Sequence, residues 1–260
     1  MTKLEAIVAR RRASVERAKS EKSIDQLRDA ADRRTAVRRF VPALASRRPA
    51  IIAEIKRRSP SAGVISDRVD AAALAVAYAA GGASALSVVT EPEFFGGSLE
   101  DLRAARAATV VPVLRKDFII DPYQVWETAA AGADAVLVIA AALSPQTLRS
   151  CVALARELGI EPLVEVHDEA EVPIALDAGA RCIGINNRDL HTFAVDLSTA
   201  PRIAAVLPPY VTVIAESGYR TADDVARCTE AGIHAVLIGE ALMRAADPAA
   251  ALAQLRSVRI

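Results

Sequence analysis

Short apolar runs alternate along this chain with longer stretches that mix apolar and polar residues. Four of the runs follow a repeated phrase in which a glycine stands shortly before the run, at Gly82, Gly132, Gly179 and Gly232. A glycine that ends a helix, followed within a few residues by an apolar run, indicates a connection from a helix to a strand. Successive glycines are 50, 47 and 53 residues apart, so each interval has room for two strand-plus-helix units.

Four further apolar runs lie between the repeated ones and bring the number of predicted strands to eight. They cover residues 50–56, 110–116, 161–166 and 211–216. Helices are predicted between the strands, for example over 71–80, 122–131, 145–158, 169–178 and 222–231, several of them preceded by Ser, Thr or Asp at the N-cap position. Eight strands alternating with helices over about 215 residues predict the α/β class, as a (β/α)8 TIM barrel rather than an open doubly wound sheet. No G-x-G-x-x-G follows the first strand, which weakens a dinucleotide-binding interpretation.

Charged and amide side chains recur at the points where the predicted strands end. They are Glu54, Lys56, Lys116, Glu165, Asn186 and Glu216. Leaving such a group unpaired in a core costs roughly several kcal/mol, so the recurrence favours one shared polar site. The C-terminal strand ends of a TIM barrel form its active site, and these residues fall there.

Side-chain direction sharpens this prediction at the first strand. Residues two apart on a strand point the same way, so Glu54 and Lys56 both project into the barrel mouth if Ile52 fills the interior. The alternative is that Glu54 and Lys56 form a surface ion pair on the rim, with no role in a site.

Glycines also follow the last two strands, in Glu216-Ser217-Gly218 and in Gly239-Glu240. Loops after the last two strands of such a barrel commonly bind phosphate through backbone N–H groups, and glycine permits close approach. We therefore predict a phosphorylated small-molecule substrate. Alternatively, Gly218 and Gly239 are turn glycines without a ligand.

Composition and charge argue against several other classes of protein. The formal net charge is zero and aromatic residues make up 4% of the chain, which disfavours a nucleic-acid groove lined with stacking rings. Residues 1–48 nevertheless hold fourteen Lys or Arg against six Asp or Glu, so the rest of the chain carries the opposite excess. We predict a helical N-terminal extension over 1–48 that packs on a barrel formed by 49–260, in a single domain overall.

Neither a targeting segment nor a metal site is predicted. The acidic residues of 1–48 argue against a transit peptide, and the chain has no signal-peptide core and no apolar run long enough to cross a bilayer. We expect a cytoplasmic protein with no membrane partner. Cys151, Cys182 and Cys228 are far apart and form no C-x-x-C pair, which fits reduced thiols. The histidines show no H-E-x-x-H spacing, so no metal is predicted.

Five segments in strand order carry a specific resemblance. They are residues 53–61 (AEIKRRSPS), 114–124 (LRKDFIIDPYQ), 165–167 (EVH), 184–190 (GINNRDL) and 216–218 (ESG). Together they resemble the motifs of the indole-3-glycerol phosphate synthase family, and the likeness runs from the N-terminal helices to the last helix. The resemblance implies the step of tryptophan biosynthesis in which 1-(2-carboxyphenylamino)-1-deoxyribulose 5-phosphate closes to a ring and loses carbon dioxide and water. It implies no cofactor, because a proton rather than an electron sink drives the decarboxylation.

The same resemblance implies roles for the residues at the strand ends. Lys116 would donate a proton to the substrate ketone oxygen as the aromatic carbon attacks, and Glu165 would act as acid and then as base in the dehydration. Asn186 and Glu54 would position the hydroxyl and support the charge, while Lys56 would pair with the departing carboxylate. An alternative exchanges the lysines, so that Lys56 donates in the dehydration, and the sequence leaves both open.

Other residues would line the same site by this resemblance. Arg188 and Ser217 would line it, Glu216 would orient its neighbours, Phe118 would stack near the anthranilate ring, and Ser59, Gly218 and Gly239 would hold the phosphate. Glu240 stands beside Gly239 where some members have Ser, so its contribution would come from the backbone N–H. His167 is expected to be a capping or rim residue and His191 a variable loop residue. The N-terminal helices would pack over the open end of the barrel and raise its positive potential.

Two rival functions belong to different classes. A phosphoribosyl anthranilate isomerase, or a related barrel of histidine synthesis, would place a Cys and an Asp where this chain has Glu54, Lys56 and Glu165. A non-catalytic ligand-binding barrel is the second rival, and the intact Lys116, Glu165 and Asn186 argue against it. We expect a monomer or a weak homo-oligomer.

Overall fold

Eight parallel strands close into a barrel in the computed structural model of this chain. The structure describes residues 2–34, 36–46, 49–60, 63–66, 69–189, 192 and 194–257. The barrel strands are β1 (Ala50–Ile55), β4 (Ala85–Val89), β5 (Val113–Lys116), β6 (Ala135–Ile139), β7 (Glu161–Val166), β8 (Cys182–Asn186), β9 (Thr212–Glu216) and β10 (Ala235–Ile238), and a short hairpin of β2 (Arg58–Ser59) and β3 (Gly63–Val64) follows β1. Each barrel strand pairs with the next along the chain, and β10 pairs with β1. The predicted (β/α)8 TIM barrel is confirmed.

Helices connect the strands and precede the barrel. They are α1 (Lys3–Glu21), α2 (Ile24–Asp32), α3 (Phe40–Ala45), α4 (Ala71–Ala80), α5 (Leu99–Ala108), α6 (Pro122–Ala130), α7 (Pro145–Glu157), α8 (Glu171–Asp177), α9 (Thr199–Ala204), α10 (Ala222–Glu230), α11 (Glu240–Met243) and α12 (Pro248–Leu255). Side chains of Asp70, Asp121, Ser144 and Thr221 accept backbone N–H groups at the starts of four of these helices. Such caps satisfy donors that have no partner within the helix.

Two predicted boundaries are wrong by two or three residues. The strand predicted over 110–116 begins at Val113, because Val110 is 86% exposed and the chain turns before it enters the barrel. The helix predicted over 169–178 begins at Glu171, where Asp168 Oδ1 accepts the backbone N–H of Glu171 at 3.0 Å. In both cases an apolar or helix-favouring stretch begins before the regular element does.

Alternate strand residues pack on opposite sides of the barrel wall. Ile52, Leu114 and Leu163 belong to an apolar cluster inside the barrel, whereas Ile51 and Val164 pack outside it against the helices. This is the two-residue period of a strand, and it places Ile52 in the interior as the sequence predicts. Side chains fill the barrel core, so a ligand can enter only at an end.

The N-terminal helices contact opposite ends of the barrel. Phe40 and Leu44 of α3 cluster with Ala50 and Ala135, which begin their strands, so α3 closes the N-terminal end of the barrel, here called the floor. Leu4 of α1 instead lines a cavity at the C-terminal end, here called the mouth. The expectation that these helices cover the open end therefore holds for α1 and is wrong for α3. The division into 1–48 and 49–260 stays a prediction.

A buried ion pair ties the segment before α3 to the floor. Asp134 directly precedes β6, and its Oδ1 accepts from the backbone N–H of Arg38 at 2.7 Å and from Arg106 Nη2 at 3.0 Å. Its Oδ2 accepts the backbone N–H of Val113 at 2.9 Å. Both carboxylate oxygens are therefore hydrogen-bonded, as a buried charge requires.

The remaining sequence expectations for the body of the fold concern thiols and membranes. Cys151, Cys182 and Cys228 are buried and free. Among the helices of the described residues, none combines the length and apolar character needed to cross a bilayer.

Candidate active site

A cavity of about 550 Å³ opens at the mouth of the barrel. All twelve residues predicted for the site line it: Glu54, Lys56, Ser59, Lys116, Phe118, Glu165, Asn186, Arg188, Glu216, Ser217, Gly218 and Gly239. They reach it from the ends of β1, β5, β7, β8, β9 and β10 and from the loops that follow. Residues distant in sequence thus meet because parallel strands present their C-terminal ends at one face.

The end of β1 contributes a buried ion pair. Lys56 Nζ lies 2.7 Å from Glu54 Oε1, and the Glu54 side chain is only 3% exposed. A Cβ on residue 239 would clash with Glu54 Oε1 and lie 3.0 Å from Lys56 Nζ, so Gly239 leaves room for this pair. Glu54 and Lys56 do pair with each other, but inside the mouth rather than as a surface bridge on the rim.

Lys116 stands between two carboxyl groups. Its Nζ lies 3.5 Å from Glu165 Oε2 and 3.5 Å from Glu216 Oε2. Burial opposes the charge on this lysine, but Glu165, Glu216 and Glu54 outweigh burial and raise the pKa of Lys116 above its ordinary value. Lys116 is therefore an ammonium ion that projects into the cavity at neutral pH.

The two oxygens of Glu165 have different surroundings. Asn186 Nδ2 donates to Oε1 at 3.2 Å, and His167 Nε2 lies 3.1 Å from the same oxygen. Oε2 has no hydrogen-bond donor among the described residues and faces Lys116. Burial acts against ionisation, but Lys116 and His167 hold the pKa of Glu165 below its usual range. Glu165 is thus a fixed carboxylate whose Oε2 lies beside the Lys116 ammonium and accepts no hydrogen bond from the described residues.

Glu216 is buried without any hydrogen-bond donor from the described residues to either oxygen. Burial, together with the nearby carboxylates of Glu165 and Glu54, outweighs Lys116 and raises the pKa of Glu216 to about 8. Of the carboxyl groups around Lys116, Glu216 is therefore the one that carries a proton at neutral pH. Gly184 makes space for it, because a Cβ there would clash with Glu216 Oε1.

The loop after β9 has a strained backbone that a buried amide supports. Ser217 has φ 68° and is the only non-glycine residue with positive φ in the described part of the chain. Asn187 Nδ2 donates to the Ser217 carbonyl at 3.0 Å and to the Tyr219 hydroxyl at 2.9 Å, and its Oδ1 accepts from the backbone N–H of Ala200 at 2.9 Å. These bonds hold Ser217 and Gly218 at the cavity wall.

An apolar wall faces the charged residues across the cavity. The rings of Phe95 and Phe118 lie 6.1 Å apart at 39°, and Leu4 and Ile7 of α1 line the same cavity. Glu91 shapes the loop that carries Phe95, since its carboxylate accepts three successive backbone N–H groups, including that of Phe95 at 2.9 Å.

Sequence reasoning missed Phe95, Leu4 and Ile7. The adjacent aromatic residues Phe94 and Phe95 soon after the apolar run of β4 were an available signal for the first of them. Nothing local marks Leu4 or Ile7.

A network beneath the mouth fixes the chain around Lys116. Arg115 is 1% exposed and donates to Asp117 Oδ2 at 2.9 Å and to Glu127 at 3.1 Å. Arg11 of α1 donates to the same Asp117 oxygen at 2.6 Å. Arg115 therefore lies on the outer face of β5, while Lys116, one residue on, projects into the mouth.

The residues predicted to hold phosphate lie on three different loops of the cavity. Ser59 belongs to the hairpin after β1, Gly218 follows β9 and Gly239 precedes α11. Glu240, the first residue of α11, pairs with Arg244 at 3.2 Å. Among the described residues, no group of three or more His, Cys, Asp or Glu side chains is arranged to hold a metal ion. Leu190 and His191 lie outside the described residues.

Comparison with known proteins gives one consistent result. Residues 4–255 match the family model for indole-3-glycerol phosphate synthase. An indole-3-glycerol phosphate synthase of Kineococcus radiotolerans is 47% identical over 260 residues, covering 98% of this chain and 95% of that protein. One from Streptomyces griseus is 45% identical over 255 residues with the same coverage, 98% and 95%.

A solved structure adds to the comparison at the level of the fold. The N-acetylmannosamine-6-phosphate 2-epimerase of Clostridium perfringens superimposes with a TM-score of 0.61 at 14% identity, covering 80% of this chain and 92% of that one. At this identity the likeness concerns the barrel alone.

Proposed function

This chain belongs to the indole-3-glycerol phosphate synthase family, and on that basis we propose a catalytic or binding role for each residue at the mouth of its barrel. The enzyme is a decarboxylating lyase of tryptophan biosynthesis. It closes 1-(2-carboxyphenylamino)-1-deoxyribulose 5-phosphate to a ring, with loss of carbon dioxide and water, and forms indole-3-glycerol phosphate. The observation that carries the assignment of roles is the position of the Lys116 ammonium, 3.5 Å from Glu165 and 3.5 Å from Glu216, in the cavity.

Lys116 is the acid of the ring closure in this proposal. As the aromatic carbon attacks the ketone, negative charge grows on the ketone oxygen and needs a proton donor within reach. Lys116 is charged and projects into the cavity, and its side chain remains 22% exposed there. Arg115 and Asp117 on either side of it are fixed by buried ion pairs, so the lysine is held at a defined point.

Glu165 acts in the dehydration. Since Glu165 is held as a carboxylate, it takes a proton from the substrate at Oε2 first and then returns it, the reverse of the acid-then-base order expected from the sequence, while Asn186 holds Oε1. Asn186 also accepts the backbone N–H of Arg188 at 3.0 Å, which fixes the amide so that its Nδ2 points at Glu165. Glu54 supports the charge of its neighbours and helps to position the departing hydroxyl.

Lys56 pairs with the substrate carboxylate before it leaves as carbon dioxide. The lysine is already bound to Glu54 at 2.7 Å, so the substrate carboxylate would share the ammonium with that residue. The exchange of roles, in which Lys56 donates the proton of the dehydration, is open on the same geometry, since both lysines enter one cavity.

The substrate's two ends would occupy opposite parts of the cavity. The anthranilate ring fits the wall of Phe118 and Phe95, and the phosphate fits between the three loops that carry Ser59, Gly218 and Gly239. Arg188 and Ser217 line the space between, and Glu216 orients Lys116. The absence of a cofactor, of a nucleic-acid partner and of a membrane partner, the cytoplasmic location, and the monomer or weak homo-oligomer state stay predictions from the sequence.

The proposal for Lys116 is tested by following indole fluorescence after addition of the carboxyphenylamino-deoxyribulose phosphate. We expect turnover by the wild type and a loss of about 10² to 10⁴-fold in kcat for Lys116→Ala, the usual contribution of a positioned proton donor. Lys19→Ala is the matched control, because Lys19 also forms two carboxylate contacts but lies outside the cavity. Turnover by Lys116→Ala within a few fold of the wild type would show that another residue is the acid.

A further inference from the structure

A buried imidazole lies directly behind Glu165. His167 Nε2 is 3.1 Å from Glu165 Oε1, and His167 Nδ1 is 3.3 Å from Glu171 Oε2, while the His167 side chain is 11% exposed. His167 does not line the cavity. It therefore touches the reacting centre only through Glu165.

The second carboxylate of this arrangement is fixed by its own bonds. Glu171 Oε2 accepts the backbone N–H of His167 at 2.8 Å, and the backbone N–H of Glu171 is bound by Asp168 at 3.0 Å. Glu171 is also the first residue of α8, where the helix end favours a negative side chain. The carboxylate cannot turn away from the imidazole without losing its bond to the His167 backbone N–H.

Two carboxylates on one buried imidazole favour its protonated form. Burial lowers the pKa of His167, but Glu165 and Glu171 outweigh burial and raise that pKa to about 10. The contact with Glu165 is electrostatic rather than a directed bond, since Nε2 meets no acceptor in hydrogen-bond geometry among the described residues. The ring is thus a cation at neutral pH.

The charged residues at the mouth indicate that the His167 cation affects which carboxyl group, Glu165 or Glu216, is ionised. Lys56 pairs with Glu54, and Lys116 lies 3.5 Å from both Glu165 and Glu216, so these two carboxyl groups compete for one ammonium. Glu165 has Asn186 and His167 at its Oε1, whereas no described residue donates a hydrogen bond to either oxygen of Glu216. The contacts of Asn186 and His167 with Glu165 Oε1 therefore stabilise the ionised form of Glu165, and a proton shared between the two carboxyl groups resides on Glu216.

We propose that His167 is a positioning residue for Glu165: a cation, braced by Glu171, that keeps Glu165 a carboxylate with Oε2 turned to Lys116 and leaves the shared proton on Glu216. This inference rests on the proposed role of Glu165 in the reaction. It replaces the sequence expectation that His167 is a capping or rim residue.

The first test is a proton NMR titration of the imidazole signals. The chain has three histidines, so the His167 signal is assigned by its absence from His167→Gln. We expect its pKa in the wild type near 10, far above the ordinary 6.5. In Glu165→Gln it should fall by about one pH unit or more, because an opposite charge at this distance shifts a pKa by that amount.

The second test is kinetic and uses His167→Gln, which keeps an amide donor and removes the charge. We expect kcat to fall about tenfold, because a charge contact worth about one pKa unit is a factor of ten in an equilibrium, here the one that keeps the Glu165 carboxylate in its productive orientation, with KM changed by less than about twofold. Glu171→Gln, which contacts the imidazole and not the cavity, should lower both the His167 pKa and kcat, each less than the direct substitutions do. This second variant and the NMR titration decide the matter if His167→Gln does not fold.

The outcomes separate this inference from the proposed function. An imidazole that titrates near 6.5 in the wild type, or one whose pKa is the same in Glu165→Gln, would overturn the inference, as would wild-type kcat in His167→Gln. Full activity of Glu165→Gln would instead overturn the proposed role of Glu165, whatever the imidazole does. A raised pKa that depends on Glu165, together with a kcat-specific loss, supports the inference.

Discussion

The floor and the mouth of the barrel both bury a carboxyl group, but they surround it differently. At the floor, Asp134 accepts from the backbone N–H groups of Arg38 and Val113 and from the guanidinium of Arg106, so both oxygens are bound. At the mouth, Glu216 is equally buried but has no hydrogen-bond donor among the described residues at either oxygen, and the Lys116 ammonium lies 3.5 Å from its Oε2. The carboxylate of Asp134 thus has all its hydrogen-bond partners, whereas the carboxyl group of Glu216 lacks them.

The difference separates a structural charge from a functional one. A satisfied buried ion pair fixes the chain and has nothing left to offer a ligand. An unsatisfied one keeps a shifted pKa and free lone pairs, which is what proton transfer at neutral pH needs. Such a group costs stability, and that cost is the usual accompaniment of an active site.

The largest effect should come from breaking the satisfied pair. Asp134→Asn places an amide where Arg38 and Arg106 donate, and it leaves the Arg106 guanidinium buried without its carboxylate. We expect the free energy of unfolding to fall by about 3 to 5 kcal/mol in urea denaturation, with kcat of the folded enzyme unchanged.

Glu100→Gln is the control for that measurement, because Glu100 pairs with Arg103 at 3.0 Å on the surface and its loss should hardly change stability. If Asp134→Asn kept its stability, or lost kcat without losing stability, Asp134 would not be a purely structural charge.

A smaller and pH-dependent effect is expected at the mouth. In the unfolded chain Glu216 loses its proton near pH 4.5, whereas in the folded protein it keeps it up to about 8. Between these values the folded state holds the extra proton, so this residue makes wild-type stability fall as pH rises and has no further effect above about pH 8. Glu216→Gln lacks the titrating group, and we expect it to gain about 2 kcal/mol relative to the wild type between pH 6 and pH 8.

The measurement is urea denaturation of both proteins across that pH range, with kcat recorded beside it. We expect Glu216→Gln to be the more stable and the less active protein at pH 8. A stability difference that does not change with pH would mean that Glu216 is already ionised in the folded protein.

The smallest effect concerns the amide that supports the loop after β9. Asn187→Ala removes the donors to the Ser217 carbonyl and to Tyr219, and it should cost about 1 to 2 kcal/mol of stability because buried polar groups lose their partners. We also expect a lower kcat/KM, since Ser217 no longer has support for its positive φ.

Tyr219→Phe is the matched variant for this change. It removes one of the Asn187 contacts and leaves the bond to Ser217 in place, so it should change kcat/KM less than Asn187→Ala does. Equal losses in kcat/KM would show that the hydroxyl contact, and not the bond to Ser217, supports the loop.

The polar half of the site could be predicted from the sequence because strand geometry is periodic. Glu54, Lys116 and Asn186 stand at even spacing from interior residues on their strands, and parallel strands bring those ends together. The same spacing applies to Glu165 and His167, two residues apart. That spacing was an available signal for placing His167 beside Glu165. The contact of His167 with Glu171 could not be predicted in this way, because Glu171 belongs to the next helix.

Other features depend on contacts between distant parts of the chain. Leu4 and Ile7 line the cavity only because α1 docks on the mouth, where Arg11 binds Asp117 at 2.6 Å across 106 positions of sequence. The Arg38 contact with Asp134 spans 96 positions in the same way. The early start predicted for β5 had a local cause, since Val110 and Val111 are apolar yet lie in a bend before the strand.

The path of the N-terminal segment also determines which end of the chain suits an affinity tag or attachment to a surface. The segment runs from α1 at the mouth to α3 at the floor, while Arg256, just after α12, donates to the Gly81 carbonyl near the start of β4, on the floor side. An affinity tag or a surface linker placed before α1 would therefore sit beside the substrate entrance. One placed beyond α12 would anchor the barrel by its base and leave that entrance facing the solution.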